Sequence, residues 1–281
     1  MKFGDVDFDL SSPRIMAVLN TTPDSFSDGG ELYRSGQLDL SVVLARVESY
    51  LKDGADIIDV GGESTRPDAT PVHVNEELDR VVPIVEALVE NFGALVSVDT
   101  STPLVMAEVA SAGAVMINDV RALRREGAVE AVVMAGLPVC LMHMAGEPAS
   151  MQKAPDYQDE LGEVGGFLMN RVSACERAGI ARENILLDPG FGFGKTLEHN
   201  LTLFRGLNEL VKLGFPVLIG VSRKSMIGSI LGKPVEERVV GSVAMAMLAA
   251  QRGARILRVH DVAATVDALK ILNAVEGRYD G

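Results

Sequence analysis

Eight places in the 281-residue chain set a polar or ionisable side chain at or just after the end of a short apolar run: Asn20, Asp59 with Glu63, Asp99, Asn118, His143, Asp188, Ser222-Arg223-Lys224 and His260. Carboxylates and amides bind the donor and acceptor edges of polar rings, and Arg, Lys and His meet anions. Each has a plainer alternative as a cap for the helix that follows: Asp99 precedes Thr100-Ser101-Thr102-Pro103, and Asp188 precedes Pro189. Taken one at a time, cap and ligand group weigh about equally; taken as a set, they point to a ligand site. Two Gly/Ser/Thr/Pro-rich segments, 20–30 (NTTPDSFSDGG) and 61–67 (GGESTRP), follow the first two runs and read as lids or plain surface loops. Phe26 in the first needs a partner or a ligand. Segment 188–195 (DPGFGFGK) lacks the spacing of a nucleoside-triphosphate loop, so its glycines are expected to let the backbone pass close to a flat ligand.

The elements that must carry these groups alternate. Apolar runs of strand character lie at 14–19, 55–60, 95–98, 115–117, 138–142, 185–187, 216–219 and 256–259. Helical patterns lie at 39–52, 75–91, 103–112, 126–135, 156–178, 197–212, 239–252 and 262–275. Leu40, Val43, Leu44, Val47 and Leu51 mark the apolar face of the first, and Asn75 is placed to cap the second. Gly54, Gly113, Gly136, Gly179, Gly214 and Gly253 each close a helix just before a strand. Eight strand–helix units in one α/β chain favour a closed (β/α)8 TIM barrel over an open doubly wound sheet. The expected organisation is a single domain over 1–281: a barrel at about 14–275, a short N-terminal extension and a frayed tail. In a barrel the carboxyl ends of the strands build the site, which is where the eight polar groups fall.

Composition narrows the function classes. Hydrophobic residues are 47% and charged residues 23%, enough apolar material to build a core. With 26 Lys+Arg against 39 Asp+Glu the formal charge is −13, so no nucleic-acid and no anionic-membrane partner is expected, and any anion must meet a local basic cluster. Cys140 and Cys175 make neither a disulfide framework nor a Cys-rich zinc site, and a reducing cytoplasm is expected. The start MKFGDVDFDL lacks the apolar centre of a signal peptide, and no apolar run reaches membrane-spanning length.

Eight segments in order resemble the dihydropteroate synthase family of bacterial folate synthesis: 20–30 (NTTPDSFSDGG), 61–67 (GGESTRP), 97–100 (SVDT), 117–119 (IND), 142–146 (MHMAG), 188–195 (DPGFGFGK), 222–225 (SRKS) and 258–261 (RVHD). The resemblance spans about residues 20–261. Ala145 departs from the Gln that many members carry, outside the residues given roles below. The resemblance implies a (β/α)8 barrel that joins 6-hydroxymethyl-7,8-dihydropterin diphosphate to 4-aminobenzoate, giving 7,8-dihydropteroate and pyrophosphate, with Mg2+ as cofactor. It implies a pterin pocket of Asp99, Asn118, Met142, Asp188, Phe193, Gly220 and Lys224, although Met142 reads equally as core filler. Asp188 would accept two adjacent ring N–H groups, and Asn118 would serve the same edge. Asn20, Arg66, Arg258 and His260 would hold the diphosphate, with Asn20 also at the metal, although His260 has the plainer reading of a helix cap. Phe26, Thr65, Pro67, Phe193, Lys224 and Ser225 would form the aminobenzoate site. Asp99, Lys224, Arg258 and His260 are the expected catalytic set.

The implied reaction is dissociative. Pyrophosphate leaves the pterin methylene, the dihydropterin delocalises the cation, an ionised Asp99 steadies it across the ring, and the arylamine attacks. The loops at 20–30 and 61–67 would exclude water and complete the aminobenzoate site only once the diphosphate is bound. Three rivals differ in testable ways. A pterin-dependent methyltransferase would not need Phe26 and Arg66. A non-catalytic pterin-binding relative would have lost loop or diphosphate residues. A Schiff-base aldolase using Lys224 would be trapped by borohydride. The partners expected are the two small substrates and, from the resemblance alone, a second copy in a homodimer.

Overall fold

A computed structural model describes residues 1–4, 6–22, 32–34, 37–64, 72–146 and 156–277. Eight parallel strands form one sheet: β1 (Arg14–Asn20), β2 (Ile57–Gly61), β3 (Val96–Asp99), β4 (Met116–Asp119), β5 (Val139–Met142), β6 (Ile185–Asp188), β7 (Leu218–Ile219) and β8 (Ile256–Val259). Their order is β6-β5-β4-β3-β2-β1-β8-β7. A parallel bridge between Leu187 and Val217, with the Leu187 N–H donating to the Pro216 carbonyl at 3.0 Å, joins the two ends and closes the barrel. All eight strand expectations land on these elements.

The helices lie outside the ring: α1 (Leu40–Lys52), α2 (Val74–Phe92), α3 (Pro103–Ser111), α4 (Ala128–Ala135), α5 (Glu160–Ala178), α6 (Leu197–Arg205), α7 (Leu207–Val211), α8 (Ser225–Leu231), α9 (Val239–Gln251) and α10 (Val262–Val275). Three details differ from the sequence reading. The helix expected over 197–212 breaks into α6 and α7 at Gly206, where a Cβ would come within 2.4 Å of the Leu161 side chain on α5. Close packing on α5, which periodicity does not register, sets that break. The cap of α2 is His73, whose Nδ1 accepts from the Asn75 N–H at 3.3 Å, so Asn75 lies inside the helix. The seven-residue α8 follows the SRKS motif and is too short to show a period.

The two larger apolar clusters lie on opposite faces of the ring because side chains alternate along each strand. Ile15, Ala17, Leu19, Val96 and Val98 face outward and pack with Val43, Ile84, Val105 and their neighbours from the helices. Met16, Ile57, Met116, Cys140, Leu186, Leu218 and Ile256 face inward and fill the lower end of the barrel. Phe3 and Phe8 join this second cluster from a small antiparallel hairpin (Lys2–Phe3 with Val6–Asp7), their rings stacked at 4.6 Å. The hairpin turns the expected N-terminal extension into a floor. Two residues further along the strands, the next inward positions carry Asp59, Asn118, Met142, Asp188, Gly220 and Arg258. A two-residue period over an apolar floor thus puts the polar groups on one level inside the ring.

Candidate active site

A cavity of about 690 Å³ opens above that level, within the range of small-molecule sites. Its lining includes Asn20, Asp99, Asn118, Met142, Asp188, Phe193, Gly220, Lys224, Ser225, Arg258 and His260. Every described residue to which the resemblance gives a role is therefore in one cavity, whereas the strand-end groups Asp59 and His143 are not in its lining. Phe26, Thr65, Arg66 and Pro67, with most of both loops that carry them, lie outside the described residues.

Arg258 dominates the electrostatics. Its Nε donates to Asp59 Oδ2 at 2.6 Å and its Nη2 to Asp99 Oδ2 at 3.2 Å. Burial works against the guanidinium charge, but the two carboxylates outweigh it and raise its pKa. Asp99 is pushed up to about 7, chiefly by burial, with Arg258 opposing and Asp59 adding to the rise. Asp188 is raised by burial, against the pull of Lys224 and of the Gly190 N–H, which donates to its Oδ1 at 2.7 Å. Lys224 reaches the Phe191 carbonyl at 2.5 Å and stands 4.7 Å from the Phe193 ring centroid. Burial lowers it to about 8, opposed by Asp188. Carboxylates, an amide and two cations thus surround the lower cavity, with Met142 and Phe193 supplying flat apolar contact.

In the ligand-free site burial, then Arg258 and Arg223, lower the His260 pKa to about 3. Its Nδ1 pairs with Ser222 Oγ at 3.0 Å. Two expectations change, for His143 and for the glycine-rich segment. His143, at the end of β5, is drawn behind the glycine-rich segment. Its Nδ1 meets Lys195 Nζ at 2.9 Å, and its ring packs edge-on against Phe167 at 5.0 Å. Lys195, lowered to about 7 by burial, also donates to the carbonyls of Gly190 at 2.9 Å and Phe193 at 3.0 Å. The close approaches of Gly190 and Gly194 are to protein, whereas Gly192 lines the cavity. Gly190 takes φ +68°, and a Cβ there would fall 1.9 Å from the His143 carbonyl oxygen. The segment is stapled to β5, and the staple holds Phe193 over the cavity.

Sequence reasoning missed other parts of the site. Thr22, Ser64, Val120 and a rim of Pro234, Val235, Glu236 and Arg238 also line the cavity. The rim comes from the connection between α8 and α9, an ordinary polar linker in sequence. Arg223 takes φ +57° between Ser222 and Lys224, held by two bonds to Asp261 at 3.1 and 2.6 Å. Arg238 adds a bond to the Arg223 carbonyl at 3.0 Å. A carboxylate inside the apolar run Ile57-Ile58-Asp59-Val60 was the one available signal that Asp59 does more than end a strand.

Residues 16–260 match the family of pterin-binding enzymes. A dihydropteroate synthase of Haemophilus influenzae is 52% identical over 266 residues, covering 95% of both chains. That of Escherichia coli K12 is 51% identical over 266 residues, 95% of this chain and 93% of its own. Among solved structures, a Yersinia pestis dihydropteroate synthase in complex with a sulfonamide drug superposes with a TM-score of 0.95 at 49% identity, covering 99% of each chain. A Xanthomonas albilineans dihydropteroate synthase in complex with 7,8-dihydropteroate gives 0.85 at 48% identity, covering 96% of this chain and 95% of its own.

Proposed function

The chain belongs to the pterin-binding enzymes and, within them, to the dihydropteroate synthases, with about half its residues identical over nearly its whole length, and on that premise we infer how its residues carry out the condensation. The enzyme is a transferase. It joins 6-hydroxymethyl-7,8-dihydropterin diphosphate to 4-aminobenzoate, releasing pyrophosphate and 7,8-dihydropteroate. The observation that carries the residue roles is that Asn118, Asp188 and Arg258 of the inward-facing level meet Asp99 and Lys224 around one cavity above an apolar floor.

The pterin lies lowest. Asp188 keeps acceptor capacity beyond the Gly190 N–H and takes two adjacent N–H donors of the aminopyrimidine edge. Asn118 serves the same edge, Lys224 donates to the ring oxygen and nitrogen, and Met142, Phe193 and Gly220 leave a flat slot. Arg258 spends two of its five N–H groups on Asp59 and Asp99 and has others for the diphosphate, which Arg66, Asn20 and His260 would also meet. Asp99, held beside Arg258, balances the charge that develops on the pterin as the methylene C–O bond breaks. The arylamine nitrogen then bonds to the methylene and loses a proton. Phe26, Thr65, Pro67, Phe193, Lys224 and Ser225 hold the aminobenzoate above the pterin.

The cofactor in this reading is Mg2+. Among the described residues no three His, Cys, Asp or Glu side chains form a metal cage. Mg2+ is commonly held by few protein oxygens together with water and substrate phosphates. Asn20 offers one such oxygen at the cavity. The residues fit a metal that arrives with the diphosphate, where it would offset the charge of the leaving group.

The same reading takes the chain as one barrel domain and a cytoplasmic homodimer. Family likeness supports it, as does the acidic composition with two free, buried cysteines. No described helix is long and apolar enough to cross a membrane. The deciding experiment mixes the purified protein with the pterin diphosphate, Mg2+ and 4-aminobenzoate. Dihydropteroate and pyrophosphate should form in equal amounts; formation of neither would overturn the reading.

A further inference from the structure

Asp59 takes no part in the cavity lining, yet it is fully buried and touches two residues that do. Its Oδ2 accepts from Arg258 Nε at 2.6 Å and from Asn118 Nδ2 at 3.2 Å. In that bond the Asn118 NH2 group donates and is turned toward Asp59. The Asn118 carbonyl oxygen is then the end presented to the cavity. Asp59 Oδ1 and the Oγ of Ser97, its register partner on β3, have no hydrogen-bond partner among the described residues. A buried carboxylate with one oxygen unmatched costs more than the apolar side chain that would fill the same place. Its two bonds to cavity residues are what it returns.

We propose that Asp59 is a positioning residue that sets the hydrogen-bond polarity of the pterin pocket, holding Asn118 as an acceptor toward the ligand. The pocket thereby selects a ring with an N–H donor opposite Asn118. This rests on the pterin reading above and adds a residue that never touches substrate.

The hydrogen-bond acceptor at the Oδ2 position does the work, and two substitutions separate it from the charge. Asp59→Asn can keep an oxygen at that position and turn its NH2 toward Ser97 Oγ. Asp59→Leu removes the acceptor and frees the Asn118 amide to turn over. With 6-hydroxymethylpterin as the calorimetric probe, Asp59→Asn should bind within about threefold of the wild type and Asp59→Leu at least tenfold more weakly. In an Asn118→Ala background, which has no amide to orient, Asp59→Leu should change pterin affinity by less than about threefold. Equal losses in Asp59→Asn and Asp59→Leu, or a full loss in the Asn118→Ala background, would overturn the proposal in favour of charge or of Arg258.

A second measurement needs neither pterin nor turnover. In ligand-free wild-type protein labelled with 15N, the Asn118 side-chain amide protons, identified by their loss in Asn118→Ala, should exchange slowly with solvent. They should stay slow in Asp59→Asn and become fast in Asp59→Leu. Fast exchange in the wild type refutes the proposal, whether or not Asp59→Leu folds. Failure of wild type to bind the pterin, with that protection present, strikes the functional reading alone.

Discussion

Replacing Arg258 by Met removes the cation that links two buried carboxylates, and the consequence can be worked out with its sign. The three side chains are 20% (Arg258), 0% (Asp59) and 11% (Asp99) exposed, so solvent screens them little. Breaking such a pair costs about 3–5 kcal/mol when the remaining charge stays uncompensated. Asp99 has a partial escape, because burial already holds it at about 7 and Arg258 is the main opposing influence. In the variant it moves higher still. A carboxyl raised in the folded state binds a proton there that the unfolded chain gives up near pH 4. Its contribution to stability is therefore present at low pH and lost as pH rises through the folded pKa. In the wild type that loss runs from about pH 4 to about 7 and then stops. In Arg258→Met it continues above 7, adding on the order of 1 kcal/mol per pH unit for one proton. For a chain of this size that is about 2–4 °C in Tm per unit. Thermal unfolding at pH 6, 7, 8 and 9 should show wild-type and variant curves diverging above pH 7. Parallel curves would refute the assignment of Asp99 as the group Arg258 keeps charged.

Asp188→Ala should lower calorimetric affinity for 6-hydroxymethylpterin at least tenfold with little change in Tm, since the charge-assisted bonds lost are worth about 1.5–3 kcal/mol each. Gly190→Ala should reduce both Tm and kcat/KM, because its Cβ would fall 1.9 Å from the His143 carbonyl oxygen in a backbone with φ +68°; a fully active variant would show that the staple is dispensable. Chelation by EDTA should abolish dihydropteroate formation while leaving binding of the diphosphate-free pterin within about twofold, and added Mg2+ should restore turnover.

The barrel was legible because its signals are local. Short β-branched runs, amphipathic stretches and helix-ending glycines each read correctly within a few residues, and the glycines at 54, 113, 136, 179, 214 and 253 all take positive φ. Site residues at strand ends were legible for the same reason: alternation places Asn118, Asp188 and Arg258 two positions above Met116, Leu186 and Ile256. What escaped depends on contacts between distant segments. Nothing near His143 in sequence announces Lys195, and nothing in HDVAAT says that burial, with Arg258 adding, will lower His260 to about 3. The rim at 234–238 belongs to the connection between α8 and α9, and no local pattern announces its approach to the cavity. Asp59 was read as a strand-end group; its tie to Arg258 links positions 199 residues apart and has no periodicity to betray it.

The apolar floor also sets an order of events during synthesis. Phe3 and Phe8 are packed with Leu218 and Ile256, so the earliest residues of the cluster to leave the ribosome require the latest. At translation rates of about 5–20 residues per second, the two rings wait on the order of 10–50 seconds for the strand that completes their seat. Over that interval they are two apolar side chains with no complete core to enter, the kind of surface a chaperone holds or a neighbouring nascent chain captures. The segment that forms the hairpin is thus synthesised first and finds its complete seat last, once the strands carrying Leu218 and Ile256 have emerged.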